Sequence, residues 1–142
     1  MKKIIILLAV IVLTFSVSAK DSKTQTPPAN VKNAVAKAYP NAKDVKFDKE
    51  TKGWEAEFTN NGTKMSMDID NNGNVLSTET TIKLSELPKG VEEYINKNYK
   101  GYKVTEASKI VDSHGRTTFE AEVSKDGKSK DLIFDKEGKF VK

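Results

Sequence analysis

Trp54-Glu55-Ala56-Glu57-Phe58 and Phe119-Glu120-Ala121-Glu122-Val123 are one phrase written twice, 65 positions apart. The turn signals behind them recur at the same offset. Asn61-Gly62 answers to Asp126-Gly127, and Asp70-Asn71-Asn72-Gly73 answers to Asp135-Lys136-Glu137-Gly138. Register kept over two turns and two apolar runs points to an internal repeat.

Each phrase alternates apolar and polar residues, the pattern of a strand with one dry and one wet face. Val45 and Phe47 alternate with Lys46 and Asp48, and Met65, Met67 and Ile69 alternate with Ser66 and Asp68. Asn60-Asn61-Gly62 and Asn71-Asn72-Gly73 read as hairpin turns, because Asn-Gly tolerates the positive φ that tight hairpins require. A fourth strand is expected from Val75 to Ile82. Ahead of the strands, Pro28 opens a helix whose Val31, Ala34, Val35 and Ala38 form one apolar stripe. Tyr39-Pro40 ends it, since proline disfavours helical geometry in the residue before it.

The second unit opens at Leu87-Pro88, and Val91, Tyr94, Ile95, Asn98 and Tyr99 repeat the stripe. Pro28 and Pro88 are 60 apart while later landmarks are 65 apart, which puts five extra residues near Asp112-Ser113-His114-Gly115. Strands are expected at Val104–Val111, Arg116–Ser124, Ser129–Phe134 and Lys139–Lys142. The predicted fold class is α+β, a tandem repeat of a helix plus a four-stranded antiparallel meander, at residues 28–82 and 87–142. No Gly-, Pro- or Ser-rich linker separates the units. They are expected to share one eight-stranded sheet and one core, with both helices on one face. Trp54, Phe58, Met67, Ile69, Phe119, Val123, Leu132 and Phe134 should pack under the helices. The helix-free face should carry Lys46, Glu55, Glu57, Lys64, Ser66, Glu120 and Glu122.

Residues 1–19 have the form of a secretory signal peptide. Lys2 and Lys3 precede an apolar run from Ile4 to Phe15, and Val17 and Ala19 stand where a signal peptidase reads. The run is shorter than the roughly 20 residues a membrane span needs. Residues 20–27 are polar and read as a flexible tether. Of the 142 residues none is cysteine, which removes thiol chemistry, lipid anchoring at cysteine and disulfides. The formal charge of +4 falls to +2 once Lys2 and Lys3 are cleaved. Lysines and acids interleave along the chain, so a mixed, solvated surface is expected and a nucleic-acid face is not.

Candidate chemistry is sparse. Asp68 to Glu79 matches the spacing of a twelve-residue calcium loop, with Asp68, Asp70, Asn72 and Glu79 as ligands and Gly73 at the bend. The flanking residues alternate as strands, so a hairpin turn is the preferred reading and no metal or cofactor is expected. Glu55 with Glu57, and Glu120 with Glu122, are paired carboxylates, but on an exposed strand face nothing should raise their pKa values. His114 falls in a turn without a nucleophile partner. Trp54 is in the apolar phase and reads as core, as do Tyr94, Tyr99 and Tyr102 at its edge.

The pattern Pro28-x-x-Val31-x-x-x-Val35-x-x-x-Tyr39-Pro40-Asn41-Ala42, then Gly53-Trp54-Glu55-Ala56-Glu57-Phe58, Gly62 and Asp70-x-x-Gly73, resembles the PepSY-like, beta-lactamase-inhibitor-like family of exported bacterial proteins. Leu87-Pro88-x-x-Val91 through Tyr99, the second phrase, and Phe134-Asp135-x-x-Gly138 repeat it. Lys100 and Gly101 depart from the Pro-Asn that follows the first helix. The resemblance implies a helix-plus-sheet fold whose open sheet face grips a protein. The expected function is therefore an exported, non-enzymatic, monomeric module, periplasmic or secreted, that binds a cell-envelope protein, with inhibition one outcome of that binding. An envelope structural protein that self-associates through its edge strands is the alternative.

Overall fold

A computed structural model of the chain describes residues 26–142. The signal-peptide reading of 1–19 and most of the 20–27 tether lie outside the described residues.

Helix α1 spans Ala29–Ala38, with Pro28 just outside as its N-cap. The Pro28 carbonyl accepts from the Val31 and Lys32 N–H groups at 3.1 and 3.2 Å. Tyr39 leaves helical geometry ahead of Pro40, and its N–H closes the last turn onto the Val35 carbonyl at 2.8 Å. Strands β1 (Lys43–Glu50), β2 (Gly53–Asn60), β3 (Thr63–Asp70) and β4 (Val75–Thr81) follow. After a short 3-10 turn at Leu84–Glu86 come helix α2 (Lys89–Asn98) and strands β5 (Lys103–Asp112), β6 (Thr117–Lys125) and β7 (Lys128–Asp135). Helix α2 ends as α1 does, with Tyr99 N–H on the Ile95 carbonyl at 2.8 Å, so Lys100-Gly101 leaves the helix end unchanged.

The strands form one antiparallel sheet in chain order, β1-β2-β3-β4-β5-β6-β7. Asn61 and Gly62 have φ of 50° and 83°, and Asp126 and Gly127 have 51° and 75°. Positive φ at both central residues matches the right-handed twist of the flanking strands. At the other strand ends an aspartate closes the turn. Asp70 Oδ1 accepts from the Asn72 and Asn74 N–H groups at 2.8 and 2.9 Å. Asp135 Oδ1 accepts from Glu137 and Lys139 at 3.0 and 2.8 Å. Each such turn abuts the start of a helix. A Cβ on Gly73 would lie 2.9 Å from the Asn30 carbonyl oxygen, and one on Gly138 would lie 3.0 Å from the Gly90 nitrogen.

The sheet has seven strands, not the expected eight. Residues 139–142 return alongside β7 but make only the bridge Phe134↔Phe140. The Val141 and Lys142 N–H groups both point at the Ile133 carbonyl, at 2.7 and 3.4 Å. Two residues facing one is a bulge, and it interrupts the ladder. Phe140 still contributes by stacking on Tyr94 at 4.6 Å between ring centroids.

Both helices cover the same sheet face, but the buried residues form two clusters and not the single core expected. Under α1 lie Trp54, Ala56, Phe58, Met67 and Ile69 with Val31 and Val35. Under α2 lie Ala121, Val123, Leu132 and Phe134 with Val91 and Ile95. The ladders place Thr78 and Thr80 of β4, and Lys109 of β5, on this face between the helices. Polar side chains at that seam floor a groove and stop the apolar packing from running through. Phe119 keeps its predicted face but stays half-buried, because its partner across β5–β6 is the exposed Lys109. Each large side chain buried in a cluster contributes roughly 1.5–3 kcal/mol.

Candidate functional site: the helix-free sheet face

Period-two patterning and the strand register fix which residues share the uncovered face. Trp54, Ala56 and Phe58 point to the helices, so Glu55 and Glu57 point away. Across the ladders Glu55 pairs with Asp68 and Glu57 with Ser66, while Ser66 also pairs with Glu79. Glu79 then pairs with Ile110, Ser108 with Glu120, and Glu106 with Glu122. Glu120 and Glu122 pair with Ile133 and Asp131 of β7. Lys46 lies opposite Glu57, and Lys64 opposite Thr59. All seven residues expected on this face are there.

The structure sorts them further. Lys46, Glu55, Glu57, Lys64 and Ser66 line one depression of about 450 Å³, together with Asp44, Glu79, Thr81 and Glu106. Glu120 and Glu122 lie beyond it on β6. Of the three raised acids described below, Glu55 and Glu79 line the concavity and Glu120 does not.

Acids outnumber cations on this face, which carries Lys46, Lys64 and Lys103, so the charge is less evenly mixed than the interleaved sequence suggests. Away from the strand ends eight carboxyls occupy it from β2 to β7: Glu55, Glu57, Asp68, Glu79, Glu106, Glu120, Glu122 and Asp131; Asp70, Asp112 and Asp135 share the face at the last residues of their strands. Among the described residues the ion pairs are Arg116–Asp112 and Lys136–Glu137, so none neutralises these eight. Hydroxyls attend them instead. Ser77 Oγ donates to Asp68 Oδ2 at 2.6 Å, Thr81 Oγ1 donates to Glu106 Oε1 at 3.3 Å, and Thr105 donates to the Glu122 carboxylate. Meanwhile Lys49, Lys109 and Lys130 project on the helix side. Lys49 Nζ lies 5.0 Å from the Trp54 ring centre and Lys130 Nζ lies 5.6 Å from that of Tyr99.

The expectation that nothing raises these carboxyls is wrong. Burial raises the Glu55 pKa, aided by the negative charges of Asp68 and Glu57. Burial likewise raises Glu79, against the opposing Ser108 hydroxyl and with Glu106 adding to the rise. Glu120 is pushed up to about 7, first by burial and then by Glu79, Asp131, Glu106 and Glu122. The burial has an identifiable source. Ile110 and Ile133 stand on this face opposite Glu79 and Glu120, and Ser108 between them is 3% exposed. Desolvation and like charge both penalise ionisation.

The other candidates resolve simply. Residues 68–79 form a β3–turn–β4 hairpin without the flanking helices of a calcium loop. Asp70 spends its carboxylate on the Asn72 and Asn74 N–H groups and the Asn74 side chain. Asp68 bonds Ser77, and Glu79 lies mid-strand. His114 is exposed in the β5–β6 turn, where Asp112 Oδ1 accepts from its N–H at 2.9 Å. Trp54 is 4% exposed in the α1 cluster. Tyr94, Tyr99 and Tyr102 edge the α2 cluster. Asp68, Glu79, Glu106 and Asp131 are contributors to the open face that the sequence reading did not include among its binding residues.

Known proteins share this architecture. A protein of Bacteroides eggerthii assigned to the periplasm is similar with a TM-score of 0.72 at 17% identity, covering 83% of this chain and 88% of that one. A DUF2874 family protein of Bacteroides uniformis gives 0.69 at 21% identity, covering 81% and 86%. A BLIP-like protein of Bacteroides fragilis gives 0.65 at 25% identity, covering 86% and 88%. A comparison with curated proteins found no match. Among the described residues no helix is long and apolar enough to cross a membrane. The family model for beta-lactamase-inhibitor-like, PepSY-like proteins matches twice, over residues 17–77 and 70–142. With two helices on one face of an antiparallel sheet and that double match across nearly the whole described chain, the chain belongs to the PepSY-like, beta-lactamase-inhibitor-like family.

Proposed function

We propose that this chain is an exported, non-enzymatic binding module that holds a cationic segment of a cell-envelope protein on its helix-free sheet face. The observation that carries this reading is the excess of carboxyls over lysines on that face of a chain with a net positive formal charge, with none of the eight central carboxyls ion-paired among the described residues. Lys46, Glu55, Glu57, Lys64, Ser66, Glu120 and Glu122 form the contact surface, with Glu79 and Glu106 between them. Such a face repels nucleic acid and anionic lipid and steers a basic partner. The name of the Bacteroides fragilis protein, BLIP-like, supports inhibition of the bound partner as the outcome. The form of residues 1–19 and the assignment of the Bacteroides eggerthii protein support a periplasmic or secreted setting. The two family matches support a duplicated helix-plus-meander unit. The free edge of the sheet is blunted by the bulge between Lys43 and Lys46 and by charged side chains, which favours a monomer over edge-to-edge assembly.

The test is capture from an envelope fraction with the mature chain and a variant carrying Glu55→Lys, Glu57→Lys, Glu120→Lys and Glu122→Lys. The expected result is a partner held by the wild type, released by about 0.5 M salt, and lost from the variant. Equal retention by both proteins would overturn the proposed face.

A further inference from the structure

The centre of the helix-free face differs from its margins. Glu120 sits mid-strand on β6 and is flanked on both sides. Toward β5 its ladder partner is the buried Ser108, with Glu106 on the same face. Toward β7 its partner is Ile133, 9% exposed, with Asp131 beside it. Along its own strand comes Glu122, and beyond β5 comes Glu79, opposite Ile110. An apolar wall and a buried hydroxyl thus meet at a carboxyl whose remaining neighbours are acids. The cations of this face stand elsewhere: Lys46 on β1, Lys64 on β3, and Lys103 at the start of β5 opposite Ser124. None of them is ion-paired to a carboxyl of the cluster among the described residues.

We infer that Glu120 is a proton-operated gate on this face: ionised, it completes the central negative charge that holds a cationic segment, and protonated, it removes that charge and weakens the hold. This inference rests on the cation-docking reading above and adds its regulation. The chemistry is a single proton transfer between solvent and the Glu120 carboxyl. Burial and the surrounding acids place its midpoint at about 7, so a modest pH change in an extracellular compartment switches its state. A bound cation stabilises the ionised form, so binding and proton release are linked in both directions. The Ser108 hydroxyl is engaged by Glu79 across β4–β5, so it offers the Glu120 carboxylate no hydrogen bond that would offset the surrounding acids.

Two measurements on the mature chain test this. The first follows the Glu120 side-chain carboxyl carbon by NMR through a pH titration without ligand. The expected midpoint lies near 7, and a midpoint near 4.5, its ordinary value, would overturn the gate. The second measures binding of a fluorescein-labelled oligolysine peptide of about ten residues by anisotropy from about pH 5 to about pH 8 at constant ionic strength. Affinity is expected to rise about three- to tenfold across the Glu120 midpoint in the wild type, in proportion to one charge at a half-buried position. Glu120→Gln should bind weakly throughout and lose the inflection. Binding that is flat with pH, or an inflection kept in Glu120→Gln, would sink the gate and leave cation docking standing. An absence of binding at every pH would sink the docking reading and the gate with it.

Discussion

Replacing Glu120 by glutamine should make the protein more stable, and only where the wild-type carboxyl is ionised. The unfolded chain titrates Glu120 near its ordinary value of 4.5, while the folded chain titrates it at about 7. Between those values the folded state holds a proton that the unfolded state has released. Stability therefore falls as pH rises through this window, and the contribution is fully lost above the folded midpoint. One pKa unit corresponds to about 1.36 kcal/mol, so the shift bounds the penalty at about 3.4 kcal/mol. The side chain is only half-buried, and solvent screening reduces that figure to about 1–2 kcal/mol at about pH 8. Glutamine keeps the shape, so the variant removes the charge and little else. Urea unfolding of both proteins from about pH 4.5 to about pH 8 reads the difference directly. The gain should be largest above pH 7 and should shrink towards zero as pH approaches 4.5. A variant less stable than wild type at about pH 8, or a gain independent of pH, would show that Glu120 carries no such penalty.

Phe134 is fully buried and packs edge-on against Tyr94 and Phe140, at 5.6 and 5.8 Å between ring centres. Phe134→Ala should cost about 3–5 kcal/mol in chemical denaturation; a loss under about 1 kcal/mol would show that the α2 cluster is not a packed core. Gly138 and Gly115 both have positive φ, 82° and 78°, yet a Cβ on Gly138 would meet Gly90 and Pro88 at 3.0 and 3.1 Å while one on Gly115 meets nothing within 4 Å. Each alanine variant should lose about 1–3 kcal/mol from backbone strain, with Gly138→Ala the larger by thermal melts. Equal losses would remove the proposed packing of that turn against α2.

The elements were legible where one physical rule dominates. Asn61-Gly62 and Asp126-Gly127 supply the positive φ of tight hairpins, and Val31/Val35 and Val91/Ile95 set the helix faces. The phase of Trp54-Glu55-Ala56-Glu57-Phe58 assigned both faces of β2 correctly. The rest depended on register. Ile110-Val111 and Leu132-Ile133-Phe134 are apolar runs without alternation, and period two cannot phase them. It is those runs that put Ile110 and Ile133 on the open face, half-burying Glu79 and Glu120. The +4 formal charge concealed the acidic face because lysines such as Lys49, Lys109 and Lys130 occupy the opposite phase. The missing eighth strand follows from a bulge at Val141 and Lys142, a backbone feature that their side chains do not announce.

A basic protein segment docking on the uncovered side of the sheet must perturb that side and not the helices. Backbone amide NMR during titration with the oligolysine peptide measures this residue by residue. Saturable shifts are expected at Glu55, Ser66, Ser108, Glu120 and Ile133, with Val31 and Val91 in the helices unmoved. Shifts concentrated at the helices, or at Thr78, Thr80 and Lys109 in the groove between them, would contradict it.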